Sequence, residues 1–182
     1  MEEIKRIRCG NVNCFLLTRG ETAVLVDTAR TTHRQTILDA CKPYQVRLIL
    51  LTHGHVDHVQ NAAFLSRTFG CPIAMGEADA ELIRDNNLQP LSARGVLGKL
   101  VLSASLKSFR EDVIEPFTPA LFLHEGDSLE EFGFPAKVLS LPGHTKGSIG
   151  LDAGKAGVLV GDALMNMFYP TASLLYNDRV EM

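Results

Sequence analysis

Three histidines and an aspartate crowd into His53-Gly-His55-Val-Asp57-His58, and a fourth histidine, His144, stands in Pro142-Gly-His-Thr145. Imidazole nitrogens and carboxylate oxygens are the donors that zinc and iron take. Clustered at one place, such groups have little structural use without a cation between them. His53, His55 and His144 form the three-imidazole set that leaves one position on zinc for water, whose pKa then falls to about 7. Gly54, between the first two, permits the backbone turn that brings both rings onto one ion. Asp57 and His58 remain for a second ion, and Asp162 in Val160-Gly-Asp162 offers a carboxylate able to bridge two cations about 3.5–4 Å apart. The stretch from His58 to His144 is far too long for a zinc finger, so two separate strand ends must meet at the site.

The elements that have to hold these groups follow from the surrounding pattern. Ile4 to Cys9, Cys14 to Thr18 and Thr22 to Asp27 read as strands, with Thr18-Arg-Gly-Glu21 as a hairpin turn. Thr31 or Thr32 caps a helix to about Cys41, which Pro43 ends. Arg47 to Thr52 is almost wholly apolar and of strand length, which predicts a strand buried on both faces, with the histidine cluster at its carboxyl end. A helix from Val59 to Phe69 closed by Gly70, a strand from Cys71 to Met75 and a short helix from Glu77 to Arg84 follow. Strands then return at Leu121 to His124, Ser128 to Glu131, Ala136 to Leu141, Ser148 to Asp152 and Ala156 to Val160. The turn Asp152-Ala-Gly-Lys155 joins the last two.

Residues 86–119 interrupt this order. Val96, Leu97, Leu100, Val101, Ala104 and Phe109 recur at spacings of three and four, which predicts an inserted helix. Three placements stay open: over the site, across a subunit interface that would make a homodimer, or docked on the surface by its apolar stripe. Tyr176 to Met182 opens like a helix capped by Asn177 or Asp178 and stops after about one turn, too short to stand alone. A longer natural chain is therefore expected.

Composition bounds the class. With 182 residues, 46% of them hydrophobic, and a net charge of −3, the chain reads as a single globular domain. Lys5-Arg-Ile-Arg8 is the only local basic run, so no nucleic-acid partner is expected. The amino end has no secretory pattern and no segment approaches the ~20 apolar residues of a membrane span, which predicts a cytoplasmic address. Cys9, Cys14, Cys41 and Cys71 lie in or beside apolar runs and read as small reduced core residues. His33 and His124 stand outside any motif and read as satisfied core groups. Lys146, Ser148 and Tyr169 suit substrate contact and turn or packing roles equally.

On the motifs His53-Gly-His-Val-Asp-His58, Pro142-Gly-His-Thr-Lys-Gly-Ser148 and Gly161-Asp162, in that order, with Val26-Asp27 before the first helix, the chain resembles the metallo-β-lactamase superfamily. The likeness runs over nearly the whole length. It implies an α/β fold, the αββα sandwich. It also implies a first metal held by His53, His55 and His144, a second by Asp57 and His58, and Asp162 between them. Hydrolysis by a bridging hydroxide, with Asp57 orienting it or taking its proton, is implied too, and Asp27 is implied as a structural support near the site. His58 follows the pattern of thioesterase-type, glyoxalase II-like relatives rather than of cysteine-bearing lactamases.

The resemblance further implies one more histidine beyond Asp162, and residues 163–182 contain none. A shortened chain, a site completed by a partner and a one-metal protein all fit that departure. The expected function is metal-dependent hydrolysis of a small thioester, lactone or other ester-like molecule. The expected cofactor is one or two zinc ions, with iron or manganese as alternatives. An iron-dependent sulfur oxygenase of the same superfamily and an inactive metal-binding remnant are the alternative functions.

Overall fold

The computed structural model describes residues 2–166 and 170–177; the side chains of residues 108–111 and 166 lie outside the description. Its first sheet begins as an antiparallel meander of β1 (Glu2–Cys9), β2 (Val12–Arg19) and β3 (Thr22–Val26). After α1 (Arg34–Cys41), β4 (Gln45–Leu50) joins β3 in parallel. Helices α2 (Val56–Val59) and α3 (Ala62–Phe69) lead to β5 (Ile73–Met75). Then β6 (Ser92–Ala93) and α4 (Gly95–Glu111) precede β7 (Leu121–Phe122). The six-stranded order is β1-β2-β3-β4-β5-β7.

A second, antiparallel sheet holds β8 (Lys137–Ser140), β9 (Ile149–Asp152) and β10 (Val158–Leu159) in the order β10-β9-β8. Further on, β11 (Leu164–Asn166) pairs with β12 (Pro170–Ala172), and β13 (Leu175–Tyr176) returns to β6.

Side-chain alternation turns these elements into layers. Ala23, Leu25, Ile49 and Leu51 face the helices, where they pack with Ile37, Val59, Ala62 and Leu65. Val24, Val26, Leu48 and Leu50 face the other way, against Val138, Ile149, Leu151 and Leu159 of the second sheet. Parallel β4 therefore needs apolar residues at consecutive positions, as its sequence provides. The result is a mixed α/β sandwich with an inserted helix, and the carboxyl end of β4 opens directly onto the histidine run.

Several elements differ from the sequence reading. The helix expected over Val59–Phe69 is broken at Gln60 and Asn61, because Asn61 Nδ2 donates to the carbonyls of Thr28 and Arg30 (both 2.8 Å) and Gln60 accepts the Thr31 N–H at 3.0 Å. Neither Thr31 nor Thr32 caps a helix; a 3-10 turn over Thr31–His33 leads into α1 without a side-chain cap. Glu77–Asp79 is likewise a single 3-10 turn rather than the start of a longer helix. Ser128 makes one isolated bridge to Lys137, and Glu130–Phe132 is a 3-10 turn closed by Gly133 at φ 93° instead of a strand. His124 is an exposed surface residue, not a core group, and His33 is half-buried.

Helix α4 forms where predicted but with part of its stripe turned outward: Val96 is 79% and Leu100 65% exposed, whereas Gly98 is buried. A side chain at Gly98 would meet the Leu174 carbonyl at 3.2 Å, so the helix approaches the β6–β13 ribbon by its smallest face. The helix start expected over Tyr176–Met182 is not met at Tyr176, which lies in β13; residues 178–182 and the side chain of Phe109 fall outside what is described. Among the described residues, no helix is long and apolar enough to cross a membrane.

All four cysteines are free and buried, as expected of core thiols. Burial pushes the Cys41 thiol up to about 12 and the Cys71 thiol up to about 11. Both should resist iodoacetamide at pH 8 in the native protein and react once denaturant is added, which mass spectrometry reads directly. Leu50→Ala, in the sheet-to-sheet core, should cost about 2–5 kcal/mol in urea unfolding of the metal-free protein.

Candidate metal centre

Three strand ends build the site. β3 stops at Val26, and Asp27 follows with φ 60°, a left-handed conformation that aspartate tolerates better than most residues. That twist aims its carboxylate at the end of β4, where Oδ1 accepts the Thr52 N–H at 2.8 Å and Oδ2 accepts the Thr52 hydroxyl at 2.8 Å. The second sheet arrives at the same point: the Ile149 N–H donates to the Thr52 carbonyl at 2.8 Å. Gly161 then packs on Thr52 with φ +52°, where a Cβ would come within 2.9 Å of the threonine side chain. Glycine at 161 is thus required twice, by conformation and by contact, and it delivers Asp162 to the cluster.

The hydrogen bonds set the tautomers of three imidazoles. The Thr52 hydroxyl spends its proton on Asp27, so at 3.1 Å it accepts from His53 Nδ1–H. His58 Nδ1 lies 2.9 Å from Asp27 Oδ2 and donates to it. His144 Nδ1 donates to the Leu175 carbonyl at 2.8 Å. As a neutral imidazole, each of these rings presents a bare Nε2. All four rings are buried, with His53 centred 4.1 Å from His58, 4.8 Å from His55 and 4.9 Å from His144.

Two groups of ligand atoms lie within 4.8 Å of one another: His53, His55 and His144, and His53, His58 and Asp162. Asp162 connects them, with Oδ1 3.5 Å from His58 Nε2 and Oδ2 3.8 Å from His144 Nε2. The residues fit a metal on three counts. His53 Nε2 is buried without a hydrogen-bond partner among the described residues. His55 Nδ1 and His144 Nε2 stand 3.1 Å apart, close to the roughly 3.3–3.4 Å separating two nitrogens on one tetrahedral zinc. The donor set, imidazole plus carboxylate, suits zinc and iron alike.

Charge is distributed to match. Burial, then the neighbouring rings, hold His53 and His55 well below the ordinary histidine pKa, so both rings are neutral. Burial opposes charge on His58 too, but Asp162 and Asp27 outweigh it and raise its pKa well above the ordinary value. For Asp162 burial works upward; with 39% of its side chain still exposed, that effect loses to His58, His53 and His144, which hold the carboxyl well below its usual range.

The structure thus assembles His53, His55, His58, His144 and Asp162, and leaves one expected ligand out. Asp57 is half-buried on α2, and its carboxylate belongs to neither group. His58, one residue on, is the residue of α2 that joins a group. The sharing also differs: His53 is common to both groups, whereas Asp162 belongs to the second and approaches the first through His144.

The role of Gly54 differs from the expected one as well. Its φ is not left-handed; instead a Cβ there would sit 2.7 Å from Leu82 Cβ and 3.0 Å from the Asp79 carbonyl. Ser148 takes the turn role, its hydroxyl accepting the Thr145 N–H at 3.1 Å, while Lys146 reaches outward to Glu81 at 4.0 Å. Tyr169 lies outside the described residues.

Sequence reasoning missed the groups that hold the ligand loops. Asn86 Oδ1 accepts the Val56 N–H at 2.7 Å, and its Nδ2 donates to the Leu82 carbonyl at 2.6 Å and the Gly54 carbonyl at 3.2 Å. Buried Asp79 bonds both ligand loops, and burial raises its pKa against the pull of its donors. No spacing rule marks either residue; the one signal was polar side chains in a turn-rich stretch between apolar elements.

A sandwich that gathers imidazoles and a carboxylate at the ends of strands from both sheets is the architecture of a metal-site α/β protein. The chain belongs to the metallo-beta-lactamase superfamily, whose pattern matches residues 7–176. It is 34% identical over 143 residues to an uncharacterized protein of Mycobacterium tuberculosis, covering 75% of this chain and 58% of that one. It is 30% identical over 166 residues to the hydroxyacylglutathione hydrolase GloC of Haemophilus influenzae, covering 89% and 71%. Among solved structures, TTHA1623 in a di-iron-bound form superposes with a TM-score of 0.64 at 26% identity, covering 88% of this chain and 70% of that one. The chain therefore spans little more than half the length of its mycobacterial relative.

Gly54→Ala should lower the melting temperature and weaken zinc uptake together, because the added methyl meets Leu82 and Asp79 behind the ligand loop. A cost of about 1–3 kcal/mol is expected for such overpacking. Calorimetry with and without zinc separates the two effects.

Proposed function

We propose that this protein is a metal-dependent hydrolase acting on a small thioester, lactone or other ester-like substrate. The observation that carries the reading is the pair of ligand groups that share His53, with Asp162 reaching toward both His58 and His144. In this reading His53, His55 and His144 hold one ion, His58 serves a second, and Asp162 stands between them. A divalent cation bound there supplies a water of pKa about 7 and polarises the substrate carbonyl.

The chain's own residues prepare that chemistry. Asp27 and the Leu175 carbonyl keep the protons of His58 and His144 on Nδ1, so Nε2 of each stays a ligand. Asp57, half-buried beside the cluster and outside both ligand groups, is the carboxylate available to orient the attacking water or take its proton.

Similarity to the hydroxyacylglutathione hydrolase of Haemophilus influenzae supports a thioester, since a hydroxyacylglutathione is one. Likeness to a di-iron-bound structure favours iron as the alternative metal and keeps an iron-dependent sulfur oxygenase as the second reading. Elemental analysis of the purified protein, with a panel of thioesters and lactones, decides between them. About two ions per chain, and turnover that a chelator abolishes and zinc restores, is the expected result. Iron with oxygen consumption in place of hydrolysis would establish the oxygenase, and bound metal without turnover would mark a remnant.

A further inference from the structure

Asp79 stands outside both ligand groups, yet its carboxylate ties their two loops together. Oδ2 accepts the Gly54 N–H at 2.9 Å and the Thr145 hydroxyl at 2.6 Å. Oδ1 accepts the Gly147 N–H at 2.7 Å and Gln89 Nε2 at 3.3 Å. Gly54 separates His53 from His55, and Thr145 follows His144, so a single planar group spans the gap across which His55 Nδ1 and His144 Nε2 stand 3.1 Å apart. Gln89 lengthens the clamp, since its Oε1 accepts the Lys146 N–H at 3.0 Å.

We infer that Asp79 is the positioning residue of this centre: by clamping Gly54 to Thr145 and Gly147, it sets the spacing of His55 and His144 and thereby the metal affinity of the three-imidazole set. The inference rests on the metal-binding reading given above. A carboxylate is needed because all four partners donate, and only an ionised acid offers acceptors on both oxygens. An amide of the same size offers one acceptor and turns its NH2 toward the other pair. The Thr145 hydroxyl can rotate, but the backbone N–H of Gly54 or of Gly147 cannot reverse, and the Gln89 amide is fixed by the Ala78 carbonyl at 2.7 Å and the Lys146 N–H at 3.0 Å. Asp79→Asn therefore leaves one ligand loop without its anchor while changing the buried volume hardly at all.

The full chain, stripped of metal, is titrated with zinc against a chromophoric chelator as wild type, D79N and T145V, and the cobalt-loaded forms are compared by visible absorption. D79N should keep the circular dichroism of the metal-free wild type, bind zinc 10–100-fold more weakly, as loss of a ligand-orienting partner typically does, and shift the cobalt bands. T145V, which removes one of the four donors, should lose severalfold. Wild-type zinc affinity and cobalt bands in D79N, even with a lowered melting temperature, would reduce Asp79 to a fold support and overturn the inference. Should D79N fail to fold, T145V decides: unchanged affinity overturns the inference, and a severalfold loss upholds it. A wild-type chain that takes up neither zinc nor cobalt would instead overturn the metal reading, and this inference with it.

Discussion

Four buried imidazole rings gathered round a common centre are not fixed by one another alone. Beyond the 3.1 Å approach of His55 Nδ1 to His144 Nε2 they meet ring against ring, and two protonated rings about 4 Å apart would repel by roughly 4 kcal/mol at an effective dielectric of 20. The surroundings prevent that charge: His53 and His55 are held neutral, and the one ring favoured to carry a proton, His58, lies between Asp27 and Asp162. A buried cluster that holds His53 and His55 neutral and sets a carboxylate beside the rings is complementary to a divalent cation. The rest of the fold serves to maintain that arrangement against the cost of burying it.

Two buried carboxylates do most of the maintaining, by different means. Asp27 works along the six-stranded sheet, joining the end of β3 to the end of β4 through Thr52 and fixing His58 directly. Asp79 works across the gap between the two motifs, where β4 and β9 belong to different sheets and meet through the Ile149 N–H on the Thr52 carbonyl rather than through a strand ladder. Ligands at the carboxyl ends of strands are a general feature of α/β sheets. Here two sheets contribute, so a cross-link between them becomes a condition for the site.

The inserted segment reaches the centre indirectly. Helix α4 lies on the β6–β13 ribbon, and the carbonyl of Leu175 in β13 holds the Nδ1 proton of His144. The Asn177 N–H adds bonds to the carbonyls of Gly143 and His144 at 2.7 and 3.1 Å. Residues 173–177 thereby act as a strap over the histidine loop, and the insertion supports the strap. Of the placements open to it, α4 is found against the β6–β13 ribbon, with Val96 and Leu100 exposed.

The sequence by itself determined which groups gather and where the strands carrying them run. His53, His55, His58, His144 and Asp162 were legible because a metal demands particular donors, and Arg47 to Thr52 because a doubly buried strand has to be apolar at successive positions. Tertiary structure decided what depends on distance and direction. It left Asp57 outside both groups, made Gly54 a residue of close approach rather than of turning, and exposed Val96 and Leu100 while Gly98 meets the ribbon. It also gave Asp79 and Asn86 their roles. A buried acceptor acts through whichever N–H groups the fold brings to it, and those partners are dozens of positions away in the chain.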